Sequence, residues 1–394
     1  MRQEHERNIR QSLTILMTTD TEGEVWSYTI DLCEALQAHP VCIELALIGK
    51  ALSTQQSEQL AALPNVQVHD SGFDVRWISD SPPDIKASGQ WLVQLAESLK
   101  PDLVHLNHLA YGALSWSCPV LLVGHFCILS WWAAAKNEAA PMPQWAGYKT
   151  LLSDSIQKAS LLVAPTLAAL HSLLSHYGPA ERTRVIYNGL SRPETAEPAE
   201  NEDDEVSILV DGAIWQQDSH LAVLTAISKE LACSVYVAGE APSSNSSERC
   251  AEGVTFLGHV SPGELQDRLV RASLYAAPTA YEPLGLGALE AARAGCALLL
   301  GDIKNLREVW GDAAVYVAPN DVDALRDKLY NLITRPKRRH YLATAAWARS
   351  KRFTTASAAK AYLQSYRSLL ATEDETAQQL PRSNAASEAL LAET

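Results

Sequence analysis

Two carboxylates eight residues apart, Glu282 and Glu290, lie in YEPLGLGALEAARAG (281–295), directly after the apolar run SLYAAP (273–278). Pro283, Gly285, Leu286 and Gly287 fall between them. A helix starting near Leu284 would aim its first amide groups and its dipole beyond the end of the preceding strand, where an anion such as a phosphate is favoured. Glycine at that point lets backbone approach a ligand closely. Glu290 then lies about two turns into the helix and Glu282 in the loop, both able to accept hydrogen bonds from sugar hydroxyls. An ordinary strand, turn and helix with a capping carboxylate satisfies the same spacing, and the residues alone leave both readings open.

His125 ends the run PVLLVGH (119–125), while His105 and His108 flank HLNH (105–108) and read as wall or packing residues. A lone histidine at a strand end packs more often than it reacts. The pair Trp131 and Trp132 reads as loop packing rather than a sugar platform. In GAIWQQDSH (212–220), between a strand and a helix, Asp218 or Ser219 is a natural helix cap.

Those residues need elements to hold them. Short apolar runs at 12–18, 42–48, 66–70, 103–107, 119–125, 161–165 and 184–188 read as strands. A second series follows at 206–212, 234–239, 254–258, 273–278, 297–302 and 314–319. Helical periods at 25–38, 87–98, 145–158, 166–176, 219–231, 262–271 and 321–334 alternate with them. This alternation predicts α/β architecture: two doubly wound Rossmann-like domains, each with a parallel sheet covered by helices, facing one another across a cleft. Ligands in such sheets bind beyond the carboxyl ends of the strands.

The chain has 394 residues and a net charge of −14, which offers no footprint for nucleic acid. Seven of its acidic residues crowd into SRPETAEPAENEDDE (191–205), a composition that cannot bury a core. The expected organisation is therefore an N-terminal domain over 1–190, an acidic linker over 191–205, a C-terminal domain over 206–370 whose last helix crosses back, and a flexible tail over 371–394. Seven scattered cysteines without a C-x-x-C pair suit a reducing cytoplasm. The segment 103–135 lacks Asp, Glu, Lys and Arg, but His105, Asn107, His108, Pro119 and His125 interrupt it. It reads as buried parallel strands rather than an integral membrane segment.

The E-x7-E pattern, followed by A-x-A-G-x-x-L and LREVWGDAA (306–314), closely resembles the C-terminal domain of GT-B retaining glycosyltransferases of family 4. MTTDTEGEVWSY (17–28), HLNHLAYGALSW, HFCILSWW, LLVAPT and VIYNG fall in the order the resemblance requires. It implies transfer of a sugar from a nucleotide-diphosphate donor to an acceptor hydroxyl with retention, and needs no metal or other cofactor. Carried over by position, Glu290 would bind the donor ribose, while Glu282 would hold the sugar near the reacting centre. Gly285 and Leu286, beside Pro283, would supply backbone amides, and His125 would reach the sugar across the cleft. Gly23 and Glu24 would form the acceptor-side loop.

The chain also departs from this pattern. Gly212 is kept, but where the family has Arg and then Lys for the diphosphate, this sequence has Ala213 and either Asp218 or Ser219. Ala280 and Glu24 likewise stand where close relatives have Arg and Gly. His220, Lys304 and Arg307 are the candidate replacements. The alternative is accordingly a catalytically impaired protein of the same fold, a regulatory subunit that binds a sugar nucleotide, a protein partner or a second copy of itself.

Overall fold

A computed structural model describes residues 12–75, 82–136, 138–191, 197–198, 206–211, 218–231, 233–239, 253–258 and 260–371. Gly212, Ala213, most of the linker and the tail beyond 371 lie outside the described residues.

The first half contains β1 (Leu13–Asp20), α1 (Gly23–Leu36), β2 (Val41–Ile48), α2 (Thr54–Ala61), β3 (Val66–Asp70), α3 (Pro82–Leu99) and β4 (Leu103–Leu106). It continues through β5 (Val120–Val123), α4 (Ile128–Trp131), α5 (Met142–Lys158), β6 (Leu161–Ala164), α6 (Leu167–Tyr177) and β7 (Thr183–Val185). These strands form one parallel sheet in the order β3-β2-β1-β4-β5-β6-β7. Every residue of β4, β5 and β6 is buried, because helices cover both faces of the sheet. That is why β5 and β6 read as unbroken apolar runs and β4 is broken only by the buried His105.

The second half contains β8 (Ser207–Asp211), α7 (Asp218–Leu231), β9 (Ser234–Ala238), β10 (Val254–Phe256), α8 (Pro262–Arg271), β11 (Leu274–Ala277) and α9 (Leu286–Arg293). Then follow β12 (Ala297–Gly301), α10 (Lys304–Trp310), β13 (Val315–Val317), α11 (Val322–Thr334), α12 (Pro336–Ser350) and α13 (Thr355–Leu370). Its parallel sheet runs β10-β9-β8-β11-β12-β13. Among the described residues no helix is long and apolar enough to cross a membrane.

Strand order reverses between β1 and β4 in one sheet and between β8 and β11 in the other. Each reversal leaves a crevice beyond the strand ends. The last helix returns to the first sheet, where Ala358, Ala359, Tyr362, Leu363 and Tyr366 share a core with Ile15, Leu32 and Leu103. Leu286, the first residue of α9, joins that same core. The return is fastened by Arg293, 4% exposed, whose guanidinium donates to the backbone carbonyls of Leu190 at 2.8 Å and Phe353 at 2.9 Å. Three helices have no counterpart in the sequence reading: the polar α2, which has a Ser53/Gln56 capping box in place of an apolar stripe, and the short α4 and α10.

Candidate functional site

The first wall is built where β1, β4 and β5 end. Asn107, 5% exposed, donates from Nδ2 to the Thr18 carbonyl at 2.8 Å, and its backbone N–H donates to Thr18 Oγ1 at 3.0 Å. Its Oδ1 accepts from His125 Nε2 at 2.8 Å. The Thr29 hydroxyl donates to the Val25 carbonyl at 2.7 Å and accepts from Thr19 Oγ1 at 3.0 Å, which ties α1 to the same network. His108 Nδ1 lies 3.1 Å from Thr18 Oγ1. Deeper in, the Tyr366 hydroxyl meets His105 Nδ1 at 2.7 Å. Burial pushes His105, His108 and His125 each down to about 3, so all three imidazoles are neutral near pH 7.

The second wall is the turn between β11 and α9. A Cβ on Gly301 would lie 1.9 Å from the Thr279 carbonyl oxygen, so only glycine lets this turn cross the end of β12. Thr279 Oγ1 donates to the Tyr281 carbonyl at 2.7 Å and accepts from the Tyr281 N–H at 3.1 Å. The first half grips the turn as well. The Cys127 N–H donates to the Tyr281 hydroxyl at 2.9 Å, and Asn188 Nδ2 donates to the Leu284 carbonyl at 3.2 Å. Phe126 packs edge-on against Tyr281 at 5.6 Å.

These walls bring most of the sequence-selected residues to adjoining cavities. One of about 340 Å³ is lined by His125, Tyr281, Glu282, Pro283 and Lys304. A second, of about 810 Å³, is lined by Asp20, Gly23, Glu24, His108, His125 and Pro283. A third, of about 750 Å³, lies between α1 and the second sheet and is lined by Glu24, Asp31, Leu286, Gly287 and Glu290. Gly285 instead lines a small recess behind the turn, beside Glu282. His220 falls in α7, while Gly212 lies outside the described residues.

Some expectations change. The helix begins at Leu286 rather than near Leu284, because Gly285 takes a left-handed conformation (φ 68°) and stops it extending backwards. Glu282 Oε1 accepts from the Gly285 N–H at 2.9 Å, so in this conformation the carboxylate caps the turn and the Gly285 amide is committed to it. Leu286 and Gly287 then supply the first-turn amides that an α-helix leaves without intrahelical acceptors. Gly23 and Glu24 are not loop residues: they open α1, with Glu24 in its first turn. Arg307 is unsuited to replace the missing cations, since its guanidinium bonds to Asp302 (2.7 Å from Nη2 to Oδ2) and lies over the Tyr316 ring. Trp131 and Trp132 stack edge-on against each other and pack on the first core.

Sequence reading passed over Asn107, Thr18 and Glu308. The Glu308 carboxylate on α10 reaches the first half, accepting from the Leu167 N–H at 2.8 Å, the Ala168 N–H at 2.9 Å and the Tyr187 hydroxyl at 2.8 Å. LREVWGDAA contained Glu308, but nothing local showed that its partners lie more than a hundred residues away. Among the described residues no cluster of His, Cys, Asp and Glu has the makings of a metal site.

Residues 25–192 match the description Glycosyltransferase Family 4, and residues 205–335 match Glycosyl transferases group 1. O-antigen chain mannosyltransferase B of Escherichia coli is 28% identical over 116 residues, 29% of this chain and 30% of that protein, so the match spans under a third of that relative's length. Alpha-maltose-1-phosphate synthase of Mycolicibacterium smegmatis is 24% identical over 81% of this chain and 94% of its own. Sucrose-phosphate synthase from Thermosynechococcus elongatus superposes with a TM-score of 0.72 at 16% identity, covering 91% of this chain and 99% of that one. Anabaena HepE in complex with UDP-glucose gives 0.69 at 16% identity, covering 90% and 100%. At such identities the superpositions speak for the fold. With a family match over each sheet, and with both sheets arranged as in those structures, the chain belongs to the group 1, family 4 glycosyltransferases and has their GT-B fold.

Proposed function

We propose that the protein transfers a sugar from a nucleotide-diphosphate donor to an acceptor hydroxyl with retention of configuration and without a metal. The observation that carries this reading is the meeting of Glu282 and His125, from opposite halves, on one cavity of about 340 Å³. Glu290, at the α9 end of the adjoining cleft, suits the ribose hydroxyls of such a donor. The Leu286 and Gly287 amides suit its diphosphate. Glu282 is placed to favour positive charge developing on the sugar as the bond to the leaving phosphate lengthens. HepE was crystallised with UDP-glucose, which makes that molecule the first donor to try. We assign the acceptor to the cavity beside Gly23 and Glu24. We assign the protein to the cytoplasm, a setting that seven scattered cysteines without a C-x-x-C pair suit. The acidic stretch 191–205 serves as the boundary between the two domains.

The test is incubation with a panel of nucleotide sugars, UDP-glucose first, reading nucleotide release and the anomeric configuration of the product. The expected result is turnover with one donor, retained configuration and no loss of rate in EDTA. An inverted product overturns retention, and abolition by EDTA overturns metal independence.

A second reading, binding of a sugar nucleotide without transfer, is favoured by Ala213 and by Asp218 or Ser219 standing where the family has cations. Two missing charged hydrogen bonds would weaken diphosphate binding on the order of a hundredfold to ten-thousandfold. Weak binding without nucleotide release, tightened and converted to turnover by Ala213→Arg with Ser219→Lys, would establish that reading.

A further inference from the structure

We propose that Asn107 is a positioning residue that fixes the tautomer of His125, so that Nδ1 presents a lone pair to a hydroxyl of the donor sugar. This rests on the proposal that His125 meets the donor, and it adds which atom does so and what that atom can recognise.

Hydrogen-bond direction fixes the assignment of both side chains. The Thr18 carbonyl can only accept, so the end of the Asn107 side chain 2.8 Å from it must be the NH2 group. Thr29 Oγ1, whose own proton goes to the Val25 carbonyl, accepts from the same NH2 at 3.4 Å. The amide therefore cannot turn over without facing two acceptors with an oxygen. Its Oδ1 is left pointing at His125 Nε2, 2.8 Å away, and an amide oxygen only accepts. Nε2 must carry the proton. The imidazole is neutral, since burial holds it down to about 3. Its lone pair is therefore on Nδ1, which is buried and has no hydrogen-bond partner among the described residues. His125 is 3% exposed and lines both cavities of the first wall. A buried acceptor without a partner is costly and is normally satisfied by water or ligand. A sugar hydroxyl can donate to it, whereas a fully ionised diphosphate oxygen cannot. His125 thus discriminates in favour of the sugar end of the donor.

The first test needs neither substrate nor variant enzyme activity. In the ligand-free protein labelled with 15N-histidine, long-range proton–nitrogen correlation at pH 7 should give His125 a protonated-type Nε2 and an unprotonated-type Nδ1. The peak is assigned by its loss in His125→Gln. A protonated Nδ1 overturns the proposal. Asn107→Asp keeps an acceptor for Nε2 although its second oxygen then faces the Thr18 carbonyl, so it should retain this tautomer at a cost in stability while raising the pH at which His125 titrates, because a carboxylate stabilises imidazolium. Asn107→Leu should mix the tautomers and lower kcat/KM for UDP-glucose at least tenfold, with UDP affinity changed less than twofold. Equal losses for UDP and UDP-glucose would make Asn107 merely structural and overturn the proposal. If the expected tautomer is found but no nucleotide sugar binds or turns over, the tautomer assignment stands and the transferase reading falls.

Discussion

The wall at the end of β1, β4 and β5 is buried, with three imidazoles held uncharged and the direction of the hydrogen bond to His125 dictated by Asn107 and Thr18. The wall at the β11–α9 turn is half-exposed, with its carboxylates Glu282 and Glu290 on a loop and a short helix that the first half grips through Cys127 and Asn188. Geometry on the first wall is therefore set by desolvation, which makes any unpaired polar atom costly. On the second it is set by glycine clearances and by contacts across the halves. The first wall should respond to protons and to core mutations, the second to the loss of single partners.

Acid should separate the two most strongly. Unfolded histidines bind protons below about pH 6.5, whereas these three stay neutral in the folded state down to about 3. Their contribution to stability is intact above 6.5 and falls progressively as pH drops toward 3. The second half has no fully buried histidine among its described residues. Hydrogen exchange read by mass spectrometry, corrected for intrinsic rate, should show the first sheet losing protection first on acidification. Earlier loss from the second sheet would break the contrast.

Next in size is the crossover helix. Tyr366 is fully buried against His105 and Tyr362, and Tyr366→Ala should cost roughly 3–5 kcal/mol in denaturant unfolding. Although Tyr366 follows the second sheet in the chain, the lost protection should map to β1 and β4. Loss confined to the second sheet would mean that α13 does not belong to the first core.

Glu308→Ala removes one carboxylate that serves three donors of the other half and should cost about 1–3 kcal/mol. Small-angle scattering should then show a larger radius of gyration, as the halves part. An unchanged profile with unchanged melting would show the latch to be idle. The smallest effect is local: Glu290→Gln should weaken UDP-glucose binding by roughly 1–3 kcal/mol with melting unaltered, while Glu282→Gln should lower kcat more than affinity. Equal losses in kcat and affinity for Glu282→Gln would make it a binding residue only.

What the amino-acid order determined by itself was every element whose burial is two-sided or whose signal is local. All thirteen strands end within three residues of the runs read from the sequence, and the fully buried β5 and β6 were the plainest, because a strand covered on both faces must be apolar throughout. The E-x7-E segment was legible because strand, glycine turn and carboxylates are neighbours in the chain. The α2 helix was missed for lack of an apolar stripe, although its capping box was present in Ser53 and Gln56. Only the tertiary structure decided that Asn107 faces Thr18, 89 residues earlier, and His125, 18 residues later. It alone brought Glu308 to the start of α6 and Tyr366 to His105, 261 residues apart. The physical reason is that a hydrogen bond's partner and direction follow from which strand ends are placed side by side. In a parallel sheet that adjacency depends on crossovers, and no local pattern records it.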